Sequence, residues 1–134
     1  MRGACGDVYF FAHDPADEIL LEVTLPPVLD QVGPSSLTFE YTLPLPNVEI
    51  VVSTGKGISA LACNDVVVNG GPEVAHTWTA VEGTLTLIVA PGETDADPVR
   101  GTLILKGVRL EGELQPLEIE SFTITNQTLG QLPG

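Results

Sequence analysis

Positive charge is scarce in this sequence: 5 Lys plus Arg face 18 Asp plus Glu, a formal net charge of -13 over 134 residues. Nucleic acid is held chiefly through Lys and Arg that release counterions from phosphates, so the composition argues against nucleic-acid partners. No lysine or arginine lies between Arg2 and Lys56, whereas Asp7, Asp14, Asp17, Glu18, Glu22, Asp30, Glu40 and Glu49 do. An anionic membrane surface would repel that half. Apolar runs of the ~18 residues needed to span a bilayer are missing as well, so no transmembrane segment is expected.

Cysteine and aromatic residues are also few. Cys5 and Cys63 are the only cysteines, and no CxxC or Cys/His cluster exists to hold zinc. One pair in a small β-rich chain permits a Cys5–Cys63 disulfide, worth about 4 kcal/mol by chain entropy; two unpaired buried thiols are the competing reading. Aromatics make up 5% of the chain, and a sugar-binding face needs exposed ring platforms. Most of these rings are wanted by a core, which leaves Trp78, flanked by Thr77 and Thr79, as the candidate carbohydrate contact.

Charged residues are nevertheless only 17% of the chain and apolar ones 43%, a composition that folds. The length suits a single domain over 1–134. Val, Ile and Thr are plentiful, and 14 Gly with 11 Pro mark many turns between short elements. Leu37, Phe39, Tyr41, Leu43 and Leu45 alternate with polar residues or proline, as a strand with one wet face does. Ile19, Leu21, Val23 and Leu25 repeat the pattern up to Pro26-Pro27, and Val48, Ile50 and Val52 repeat it up to Gly55. Val8 to Ala12 is a more continuous apolar run, suited to a buried or an intermolecular strand.

In the second half, Glu82-Gly83 reads as a tight hairpin turn between strands Val74–Val81 and Thr84–Ala90. The apolar phase slips by one at Gly107, between Leu103/Leu105 and Val108/Leu110, which predicts a β-bulge; a similar slip places an extra residue at Ser121. No segment carries helical spacing. The expected fold is therefore all-β, an antiparallel β-sandwich (Ig-like or jelly-roll-like) of about eight or nine short strands, with Phe39, Tyr41, Ile50, Leu85, Leu87, Leu103 and Leu105 inside.

Residues that can do chemistry are sparse. His13 and His76 have no Gly-x-Ser-x-Gly or other nucleophile signature to work with, so no enzyme is expected. Glu93, Asp95 and Asp97 fall within five residues of one loop, and alternate carboxylates in a tight loop can face one hard cation, which makes them the candidate Ca²⁺ ligands. Asp14-Pro15-Ala16-Asp17-Glu18 is a second acidic cluster, and Asn126-Gln127-Thr128 fits the glycosylation pattern.

Gly3-Ala4-Cys5 resembles the end of the lipobox of bacterial lipoproteins. That resemblance implies a removed leader, a lipid anchor on Cys5 and an unpaired Cys63. The function expected from all of this is a non-enzymatic, extracytoplasmic β-sandwich (secreted, periplasmic or on the outer surface). It would serve as a surface, adhesion or assembly module for a protein or cell-surface component. The alternative is a calcium- or carbohydrate-binding module.

Overall fold

A computed structural model of the chain describes residues 2–5, 8–28, 31, 33–62, 73–92 and 99–129, with the backbone alone for 2–5. It is all-β: β1 (Arg2–Cys5), β2 (Tyr9–His13), β3 (Ile19–Thr24), β4 (Leu37–Leu43), β5 (Glu49–Lys56), β6 (Glu73–Ala90), β7 (Arg100–Gly112) and β8 (Leu117–Thr128). Every pairing is antiparallel. Among the described residues no α-helix occurs, and so none is long and apolar enough to cross a membrane.

The strands do not divide into two separately bonded sheets of short strands. They join in one sheet, in the order β1-β2-β3-β5-β6-β7-β8 with β4 also on β6, and that sheet curls into a half-barrel. Curling is what lets one sheet bury its own face. Phe10 of β2, fully buried, brings its ring against the backbone of Gly101 on β7: a Cβ there would lie 3.2 Å from the ring's Cζ and 2.7 Å from Cδ1 of Leu129. Val23, Ile50, Leu85, Leu87, Leu103, Leu105, Leu110 and Ile124 fill the space between the walls. Of the seven residues expected inside, Phe39 and Tyr41 are only half-buried, because β4 pairs with β6 alone and packs against the margin of the core.

The hairpin expected at Glu82-Gly83 is absent. β6 runs unbroken from Glu73 to Ala90, pairing first with β5 through Glu73–Thr79 and then with β4 through Gly83–Val89, while β7 follows its other side. Gly83, at φ 136°, marks a bend instead of a turn. A Cβ at Gly83 would lie 2.7 Å from the Cα of Val108, so the β7 backbone occupies the space a side chain would need. Val81 is the extra residue on β6, its register slipping against β7 between Ala80 and Glu82. The slip expected at Gly107 is present: two residues, Gly107 and Val108, face Gly83 alone, and Gly107 adopts φ 59°.

Ser121 is not an extra residue. β7 and β8 stay in register from Leu103/Ile124 to Leu110/Leu117, and the irregularity falls near Asn126, at φ 53°. There Arg100 clamps the two strands: its Nε donates to Asn126 Oδ1 at 2.8 Å, and its other nitrogens donate to Thr128 Oγ1 and to the Asn126 carbonyl. The side chain of the glycosylation-like Asn126 is thus engaged by a cation.

Alternation also hid a second cluster. Leu20 and Ser53 face each other across β3 and β5 on the side opposite Leu21 and Val52, and both are buried. A 3-10 turn at Ile58–Leu61 lies against these strands, and its Ile58 is buried too.

Candidate functional site

One groove stands out between the walls of the half-barrel, with a volume of about 730 Å³. Ala12, Leu21 and Val52 form one side, and Leu117, Ile119 and Phe122 of β8 form the other, with His13, Asp14, Glu118 and Ser121 at its rim. The volume lies within the ~300–1,000 Å³ of ligand sites, and a mainly apolar lining with a few polar groups is their usual chemistry. Its geometry follows from strand period. Ala12, Leu21 and Val52 project from neighbouring strands onto the inner face, and Leu117 and Ile119 recur at every second residue of β8.

The polar rim is largely committed to holding the chain. Asp14 Oδ1 accepts from the amides of Ile19 (2.9 Å) and Glu18 (2.8 Å), and these bonds hold its carboxyl below the usual range. Asp17 Oδ1 accepts from the Ser59 amide at 2.7 Å, and its carboxyl is likewise lowered, first by the Ser59 side chain and then by that amide. The carbonyl of Asp17 also accepts from the Ile58 amide. The acidic cluster at 14–18 therefore ties the β2–β3 loop to the 3-10 turn. His13 Nδ1 lies 3.0 Å from the Asp14 carbonyl oxygen.

A pH dependence follows from these two carboxylates. Because their folded-state values are depressed, their stabilisation is present above the unfolded value of about 4 and is lost as pH falls through the folded values. Melting temperature should decline below about pH 4, and Asp14→Asn with Asp17→Asn should lower it at pH 7 while flattening part of the acid decline. Parallel acid declines in variant and parent would contradict this assignment.

Other sequence candidates are placed differently. Trp78 is a core residue, 6% exposed, whose Nε1 donates to the Gln115 carbonyl at 3.0 Å. It offers no open ring face to a sugar, because it is buried as a member of the core cluster that also holds Leu110 and Val108. His76 is half-buried with its ring centroid 6.1 Å from that of Trp78, and its Nδ1 is buried with no hydrogen-bond partner among the described residues. Cys5 lies on β1 opposite Tyr9, while Cys63 falls outside the described residues, as do Glu93, Asp95 and Asp97. Among the described residues no group of three or more His, Cys, Asp or Glu side chains converges as a metal site would require.

On the outer face, the Tyr9 hydroxyl donates to Glu22 Oε2, and Tyr9 and Phe11 place their rings 6.4 Å apart. Burial, then the hydrogen bond and charge of Glu22, push the Tyr9 phenol upward, so it stays a neutral donor.

Sequence reasoning missed the groove. The half-exposed Leu117, Ile119 and Phe122 were its only local signal, in a strand where apolar residues alternate with Glu118 and Glu120. Comparison with known proteins finds no family model, no curated protein and no solved structure that matches this chain.

Proposed function

We propose that this chain is a non-enzymatic binding module working outside the cytoplasm as a surface, adhesion or assembly unit, and that it holds its partner in the groove between β8 and the β2–β3–β5 wall. The observation that carries this reading is the groove itself, an apolar hollow left open in an otherwise filled core. The two facing walls act as the layers of a sandwich. A non-catalytic role is supported by the rim chemistry, since one Asp14 carboxylate oxygen already accepts two backbone amides. The extracytoplasmic placement is supported by the net charge of -13, the cysteine pair and the lipobox-like Gly3-Ala4-Cys5.

Nile red, a neutral apolar dye, tests the groove without help from charge. Native protein should raise and blue-shift its emission, Ile119→Asp should remove most of that signal, and Val74→Asp should leave it unchanged. Val74 is a suitable control because it is exposed and does not line the groove. Signal surviving Ile119→Asp in a protein that still unfolds cooperatively would overturn the assignment.

A further inference from the structure

Both sets of alternate positions on one strand line the groove: Leu117, Ile119 and Ser121 from one, Glu118 and Phe122 from the other. Residues of both faces can share one hollow only where the hollow runs along the strand's edge. β8 is also the last strand of the sheet: its ladder runs to β7, and β1 approaches its other side near the C-terminal end, since Phe10, the partner of Ala4, meets Gly101, the partner of Gln127. The groove therefore presents a strip of backbone at Leu117–Ser121 beside an apolar floor, which is the template for an added strand.

Charge selects the occupant. Of the described residues that line the groove, Asp14 and Glu118 are acidic and none is Lys or Arg. Glu118 and Glu120 line a neighbouring hollow together with Glu82 and Arg109, three carboxylates to one cation. Arg109 stands across from Glu118, but its Nη2 lies 3.9 Å from Glu111. A second copy, carrying -13, would be repelled from such an edge. Strand period sets the rest of the pattern, because a paired strand sends alternate side chains to the floor and to the rim.

We propose, resting on the groove reading above, that β8 accepts along Leu117–Ser121 an extended segment of a partner protein in which apolar residues alternate with lysine or arginine. Apolar side chains enter the groove beside Leu21, Val52 and Ile119, and the basic ones lie against Glu118 and Glu120.

The test is a titration of the full chain with a nine-residue peptide alternating Val and Lys, followed by amide shifts and calorimetry at low and high salt. Shifts should concentrate at Leu117–Ser121, and affinity should fall with salt. Glu118→Lys with Glu120→Lys should weaken binding at least tenfold and admit a Val/Glu peptide instead, while both exposed substitutions leave the urea midpoint nearly unchanged. N-methylation of alternate peptide amides should abolish binding. Three results would each overturn the proposal: no binding of the Val/Lys peptide, equal binding of the methylated peptide, or an equal loss from Glu40→Lys with Glu49→Lys, which would mean that net charge alone attracts. Nile red uptake without peptide binding would sink the strand proposal and leave the groove reading standing. Failure of both would remove the two together.

Discussion

Gly83→Ala should destabilise the protein by about 3 kcal/mol, lowering the melting temperature by roughly 10 °C, although it adds one methyl group. Two effects act together. The backbone sits at φ 136°, where L-residues are strained, and the new Cβ would meet the Val108 Cα at 2.7 Å. The Gly107 carbonyl oxygen at 3.1 Å is also β7 backbone, and the Val108 Cγ2 at 2.8 Å belongs to a stiff β-branched side chain, so none of these neighbours yields cheaply. Gly107→Ala makes the contrast: its φ is 59°, but nothing lies within 4 Å of the added Cβ, so only the left-handed strain of about 1 kcal/mol remains. Urea unfolding with an unchanged m-value measures both, and equal costs at the two glycines would contradict the bend as described.

A second large effect is expected at Phe10. Its side chain is fully buried between β2 and β7, so Phe10→Ala should cost about 3–5 kcal/mol through lost transfer energy and the cavity left behind. Gly101→Ala pushes instead on Leu129 Cδ1 and on the Phe10 Cζ, both ends of side chains. In combination with Phe10→Leu, which shortens the obstructing group, the alanine at 101 should therefore cost less than it does alone. A coupling of about 0.5–3 kcal/mol is the size seen for residues in contact. Strict additivity would place the two residues in separate environments.

Local period made most of the strands legible. Leu85 and Leu87 in β6, Leu21 and Val23 in β3, and the slip at Gly107 in β7 all follow from which residues must face the core. Gly83 misled because a positive φ serves a hairpin turn and a bend equally well; what decides between them is the approach of Val108, a contact across strands that no local pattern records. Ser121 misled for a related reason. β7 and β8 change phase together, so the shift leaves their mutual register intact, while the true irregularity lies at Asn126 where Arg100 grips the backbone. Ile19 looked like a core residue but is 47% exposed, since with Leu21 on the same face of β3 it lines the open groove. The groove was illegible because it depends on β8 facing β2, β3 and β5 across the curled sheet, elements far apart in the chain.

The central claim is that one continuous antiparallel sheet curls until β2 packs on β7, leaving the groove beside β8. Nuclear Overhauser contacts of the Phe10 ring test it most directly, because Phe10 meets Gly101 and Leu129 only if the sheet has curled. The account predicts strong cross-peaks from the Phe10 ring to the Gly101 α-protons and the Leu129 methyls. A Phe10 ring that contacts only its neighbours on β1 and β3, in a folded protein whose β6 amides are protected, would contradict it.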